Sequence, residues 1–136
     1  MKPNLWNIIL ITTLLFGCQN KQKLDGNYSM CSNGEYVEVY FKKDSMRIAS
    51  ENESVKLSEW RKVEIKNDTL YFESFGEWKR KYKAEIKYIG NYNIELHNLM
   101  TNIKFNLERI NENPNFQNSM EFWNGFNKRQ KNKNCE

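Results

Sequence analysis

Between Leu24 and Ile110, apolar and polar residues alternate with the period of a β-strand rather than that of a helix. The pattern is clearest at 77–88. There Trp78, Arg80, Tyr82, Ala84, Ile86 and Tyr88 fall on one face, and Glu77, Lys79, Lys81, Lys83, Glu85 and Lys87 on the other. Such a segment reads as a half-buried antiparallel strand with a solvated outer side. Tyr92, Ile94 and Leu96 repeat the pattern, as do Ile103, Phe105, Leu107 and Arg109. Upstream, Tyr28 and Met30 share a face, as do Val37, Val39 and Phe41, then Met46 and Ile48, Val63 and Ile65, and Leu70 and Phe72. Lys43-Asp44, Asn67-Asp68 and Gly90-Asn91 separate these runs with residues that suit tight hairpins. Only 51–59 reads as a long polar loop.

Eight strands are predicted, at 26–31, 35–42, 45–50, 60–66, 69–75, 77–88, 91–97 and 102–110. Strands in that number, joined by short turns, close into a small up-and-down antiparallel barrel, which removes the edges of an open sheet. Beyond residue 110 the period changes. Phe116, Met120, Phe122, Trp123 and Phe126 occupy one arc of a helix, with Asn113-Pro114 or Asn118 available to start it. Lys128, Arg129, Lys131 and Lys133 gather at its end, where the helix dipole favours cations. This helix is expected to cover the barrel wall. Strand parity then orients the barrel. With the start of the first strand called the bottom, the hairpins at 43–44, 67–68 and 89–91 lie there. The loops at 32–34, 51–59, 75–77 and 98–101 lie at the top.

The N-terminus carries a different signal. Leu5 to Phe16 is an apolar run of 12 residues after Lys2, short of the roughly 20 that cross a bilayer and of signal-peptide length. Leu15-Phe16-Gly17-Cys18 resembles a bacterial lipobox, with Leu at −3, a small residue at −1 and the cysteine that becomes the acylated first residue. The expected organisation is a lipoprotein signal peptide at 1–17, a lipidated tether at 18–23, a β-barrel domain at 24–110, and a C-terminal helix and basic tail at 111–136. The resemblance implies lipidation at Cys18, a membrane partner reached through that anchor, and a place in the bacterial cell envelope. Gln19, where inner-membrane retention uses Asp, points to the outer membrane. The alternative is a plain secretory signal with an incidental cysteine.

Composition narrows the chemistry. A chain of 136 residues with 28% charged and 14% aromatic residues is one globular domain, not a disordered tail or coiled coil. The net charge of +4 comes from residues spread along the chain, and 20 Asn and 16 Lys against 5 Arg fit an AT-rich genome. No concentrated basic footprint for nucleic acid results. One histidine and three cysteines leave no basis for a metal centre or cofactor. His97 faces outward and alone, and Asp25, Asp44 and Asp68 lie in turns. No paired carboxylates and no nucleophile–base constellation can be assembled, so a binding role is expected rather than an enzyme.

Arg80 is the most informative candidate. On the inward face between Trp78 and Tyr82, near the top, a guanidinium there would hold an anionic ligand group by charge-assisted hydrogen bonds. The structural alternative is that it reaches solvent at the rim or pairs with a nearby acid. Trp60, Tyr71, Tyr82, Tyr88 and Tyr92 are candidates to line a pocket or fill the interior. Arg109 has the same inward parity at the opposite end, the bottom, and a structural role there is expected rather than ligand binding.

These residues carry a resemblance to small lipocalin-like lipoproteins of the Bacteroidetes type. Lipocalins start with Gly-x-Trp at the closed end, covered by an arginine from the last strand. Gly26-Asn27-Tyr28 and Arg109 match, with Tyr in place of Trp. The resemblance covers about 24–130 and implies an interior that holds a small apolar or amphiphilic ligand. A second resemblance, to membrane-bound lysozyme inhibitors of the C-type class, rests on Cys31 and Cys135, although their Ser/Gly-rich inhibitory loop is missing. It makes an envelope inhibitor or accessory subunit the alternative function.

The cysteines also carry an expectation of their own. With Cys18 acylated, two thiols remain in an oxidising compartment. The first strand brings Cys31 to the top. A helix of about 15 residues starting at the bottom rises roughly 22 Å and returns Cys135 to the same level. A Cys31–Cys135 disulfide is expected, the alternative being two free thiols.

Overall fold

The computed structural model describes residues 24–52 and 56–135; the predicted signal peptide and the whole tether at 18–23, Cys18 included, lie outside them. Nine strands follow in order: β1 (Gly26–Ser32), β2 (Glu35–Lys42), β3 (Ser45–Ser50), β4 (Arg61–Lys62), β5 (Glu64–Lys66), β6 (Thr69–Glu73), β7 (Lys81–Ile89), β8 (Asn93–Asn98) and β9 (Lys104–Ile110). One helix, α1 (Ser119–Asn132), comes after them. The strands form a single antiparallel sheet in the order β4-β3-β2-β1-β9-β8-β7-β6-β5. Its two outermost strands are separated in the chain by Val63 alone, so the sheet wraps into a nearly closed barrel.

The count of nine, against eight expected, has a local cause. The segment 60–66 pairs first with β3, through Met46↔Arg61, and then with β6, through Glu64↔Tyr71. A strand that changes partner cannot keep one straight ladder. The change falls at Val63, which is buried in the core while its N–H donates to the Asp44 carbonyl at 2.8 Å. Among the described residues, the ladder on the outer side of β6 ends at Tyr71. Arg61 spans the gap. Its Nη1 donates to the Ser74 carbonyl, and its guanidinium lies 5.1 Å from the centre of the Phe75 ring.

The hairpins form where the turn chemistry places them. Lys43, Asn67, Asp68 and Gly90 all adopt positive φ, and these turns share the bottom end.

Two cores result. Inside the barrel, Leu24, Tyr28, Val39, Leu70, Ile94 and Leu107 are among the buried residues. Outside it, Tyr36, Tyr40 and Ala49 pack against Phe122 and Phe126 of α1, with Phe116 and Trp123 at the margin. β2 is therefore buried on both faces over Tyr36–Phe41. The helix covers the wall as expected and begins at Asn118, whose side chain accepts the Glu121 N–H at 3.1 Å. Met120, expected on the apolar arc, is exposed. The expected return to the top is observed: Cys31 and Cys135 are joined by a disulfide, their Cα atoms 5.3 Å apart.

Candidate functional site

The inward face of a strand alternates, so each strand sends every second side chain into the barrel. In the lower half these side chains are large and meet. Tyr28, Phe41, Ile94 and Leu107 fill it, with Leu24 beneath them. The closing motif lies here. Arg109 crosses from β9, its guanidinium 5.4 Å from the centre of the Tyr28 ring. Its Nη1 donates to Tyr28 Oη at 3.2 Å and to the Asp25 carbonyl at 3.1 Å, and Tyr28 Oη donates to that same carbonyl at 3.1 Å. A Cβ on Gly26 would stand 2.6 Å from the guanidinium, and Gly26 has φ of +114°. Gly26, Tyr28 and Arg109 thus form one bottom seal, the arrangement that the resemblance to lipocalins implied.

In the upper half the side chains do not meet. They leave an apolar cavity of about 350 Å³. Met30, Ile48, Leu70, Phe72, Leu96 and Phe105 form much of its wall, and Tyr82, Phe75 and Ile103 lie toward the top. Its volume lies at the lower end of the range of small-molecule sites. Polar groups at its edge are few: Ser74, Asn98 and Thr101, with the Tyr82 hydroxyl. Asn98 is engaged, its Oδ1 accepting the N–H groups of Met100 and Thr101 at 2.9 and 3.2 Å. A larger depression of about 1010 Å³ lies beside the seam, lined by Arg61, Lys62, Glu64, Glu73, Lys79 and Lys81 among others. Its mixed charges make it a solvated surface rather than an apolar site.

Of the three residues expected at the ligand, only Tyr82 enters the cavity wall. It stacks on Phe72 with ring centres 5.6 Å apart. Trp78 and Arg80 are exposed, Trp78 to 81%. The alternation at 77–80 resembles a strand, but β7 begins only at Lys81. Ser74 closes the preceding segment into a loop. Its N–H donates to the Arg80 carbonyl at 2.8 Å, its Oγ accepts the Arg80 N–H at 3.0 Å and donates to the Trp78 carbonyl. Trp60, Tyr71 and Tyr92 are also exposed rather than filling the barrel, whereas Tyr88 is half-buried against the core.

A second cluster escaped the sequence reading. Glu38, on the outer face of β2, has no exposed surface. Tyr36 Oη donates to its Oε1 at 2.7 Å, Tyr40 Oη donates to its Oε2, and Arg129 of α1 donates to both oxygens at 2.7 and 3.1 Å. Arg129 also reaches Glu112 at 2.7 Å. Burial works against the Arg129 charge, but the hydrogen bonds and attraction of Glu38 outweigh it and hold its pKa above the usual value. Burial, reinforced by Glu38, pushes the phenols of Tyr36 and Tyr40 well above theirs. The available signal was Tyr36-x-Glu38-x-Tyr40, two aromatics on the face opposite Val37, Val39 and Phe41. Next to this cluster, burial lowers the Arg47 pKa. Arg47 lies 5.2 Å from the Trp60 ring centre and 4.7 Å from that of Phe116, and donates twice to the Ser58 carbonyl. These charges serve helix docking and carry no cleft.

Among the described residues no group of three His, Cys, Asp or Glu is placed to hold a metal, and no helix is long and apolar enough to cross a membrane. The fold and cavity thus define an antiparallel β-barrel, sealed at one end by Arg109 over Tyr28 and hollow at the other. Comparison with protein-family models, curated proteins and solved structures finds no match to this chain.

Proposed function

We propose that this protein is a lipid-anchored envelope lipoprotein that binds a small apolar or amphiphilic ligand in the upper half of its barrel. The observation that carries the reading is the cavity of about 350 Å³, apolar along its wall and bounded by the top loops. Burying a ligand there removes apolar surface from water at about 25 cal/mol per Å². The tether reading of Cys18 rests on the lipobox alone. It fits a barrel whose first strand starts at the sealed end, so that an anchor at residue 18 leaves the cavity facing away from its own membrane. A binding role, rather than catalysis, is favoured because the cavity wall carries no titratable acid–base pair and no activated nucleophile.

The test is mass spectrometry of small molecules that co-purify with the folded unit from Leu24 onward. A stoichiometric apolar or amphiphilic compound, displaced when the cavity is filled by mutation, is expected. An empty barrel that also fails to take up apolar fluorescent probes would remove the ligand-binding reading.

A further inference from the structure

The two loops that border the cavity mouth are built to display apolar side chains. In 74–80, the hydrogen bonds of Ser74 close the loop and leave Trp78 81% exposed at its tip. In the turn between β8 and β9, the Asn98 side chain binds two successive N–H groups, and the Asn102 N–H donates to the Asn98 carbonyl at 2.8 Å. That turn holds Leu99, Met100 and Ile103 44%, 61% and 50% exposed. Flexible loops would fold such side chains inward over the open cavity. In these loops the hydrogen bonds of Ser74 and Asn98 set the backbone, and the side chains are displayed from that frame.

The charge around this rim is one-sided. Residues 73–83 and 98–104 hold Lys79, Arg80, Lys81, Lys83 and Lys104 against Glu73 and Glu77. Lys79, Arg80, Lys81 and Lys83 make no ion pair among the described residues, whereas Lys104 pairs with Glu95. The neighbouring top loops are acidic instead: their sequence has Glu35, Glu51, Glu53 and Glu59 against Lys56. An indole and aliphatic side chains flanked by unpaired cations match the boundary of a bilayer: apolar groups enter the acyl region and cations meet anionic headgroups.

We propose that the loops 74–80 and 98–103 dock the cavity mouth on an anionic lipid surface. The unpaired cations and the indole beside them fit anionic headgroups; a second copy that set its acidic top loops against these cations is the competing occupant, and the test separates the two. The surface lies at the end opposite the entry of the chain, so it is not the membrane that an anchor at residue 18 would occupy. Docking does not require the cavity to hold a ligand, so the two proposals fail separately.

The test uses the folded unit from Leu24 onward, which has no lipid of its own. It is sedimented with vesicles of phosphatidylcholine and phosphatidylglycerol, and with phosphatidylcholine alone. Binding to the anionic vesicles with a blue shift of Trp78 emission is expected, with much weaker binding to the neutral ones. Lys79→Glu, Arg80→Glu and Lys81→Glu should each weaken binding about fivefold or more. The double variant Leu99→Ser, Met100→Ser keeps Trp78 as the reporter; it should weaken co-sedimentation and reduce the blue shift while circular dichroism stays unchanged. No binding to anionic vesicles, or binding unaltered in these variants, overturns the proposal. Self-association lost on changing Leu99 and Met100, without vesicle binding, also overturns it and assigns the rim to a second copy.

Discussion

Glu38 on β2 and Arg129 on α1 meet on the outside of the barrel wall, Nε to Oε1 at 2.7 Å and Nη2 to Oε2 at 3.1 Å, and the carboxylate is fully buried. This pair, with Tyr36 and Tyr40, fixes where the helix lies along the strand. Apolar contacts alone would let it slide. Arg129→Ala leaves the Glu38 charge buried with two phenols for company. A loss of about 3–5 kcal/mol in urea unfolding is expected. A joint Glu38→Gln, Arg129→Met change should recover part of it, because no uncompensated charge then remains. A loss under about 1 kcal/mol for Arg129→Ala would show that the pair is not a latch.

Alkaline pH should open the same contact. In the folded state the phenols of Tyr36 and Tyr40 are held above their ordinary value of 10.0 by burial and by Glu38. The unfolded chain ionises them near pH 10. Below that pH both states carry the proton, and the stabilisation is fully present. As the pH rises beyond 10 only the unfolded state releases the protons, so stability falls. Phenolate absorbance from these tyrosines should appear together with loss of the folded circular dichroism signal. Their ionisation in a chain that remains folded would contradict the assignment.

The Cys31–Cys135 bond closes a loop with a sequence separation of 104. In the chain-entropy model a loop of that length stabilises by about 5 kcal/mol. Cys31→Ser, or reductant, should lower the midpoint of thermal unfolding and release the end of α1 first. Hydrogen exchange at 126–135 should then rise before exchange in β8. Two reactive thiols in protein purified without reductant would refute the bond.

Gly26 lies under the Arg109 guanidinium with φ of +114°. Gly26→Ala should destabilise by about 1–3 kcal/mol. The guanidinium is the end of a flexible side chain and can move, so most of the cost should come from the backbone. Gly26→Ala combined with Arg109→Ala should therefore remain nearly as destabilised as the sum of the single changes, measured in urea.

Filling the cavity separates binding from folding. Ile48→Phe adds bulk to the upper wall, where space exists, and should leave thermal stability unchanged or slightly higher. Uptake of an apolar fluorescent probe should fall about tenfold or more. Overpacking of a filled core would instead cost about 1–3 kcal/mol. A clear loss of stability in this variant would mean that the cavity is not available space.

Much of this architecture was legible along the chain, because alternation, turn residues and chain direction are local properties. The period of two from Leu24 to Ile110 located the barrel and the loops at each end, and Phe122 and Phe126 marked the helix. Gly26, Tyr28 and Arg109 were joined by the resemblance to the lipocalin closing motif, and parity agreed, since an antiparallel meander determines which strand ends meet. The same reasoning brought Cys31 to Cys135. Other features depended on contacts between distant segments. Glu77–Arg80 alternates like a strand, yet the Ser74 hydroxyl binds it into a loop and turns Trp78 and Arg80 outward. Val63 looks like any strand residue, and only the choice between β3 and β6 as partner makes it a break. Glu38 reads as a solvated position until α1 covers it. Whether a side chain faces water or another side chain depends on what packs over its strand, and the residues that cover β2 come some 80 positions later in the chain. The cavity is likewise a difference between the volume enclosed by the strands and the volume of the side chains inside, a quantity only the folded barrel possesses.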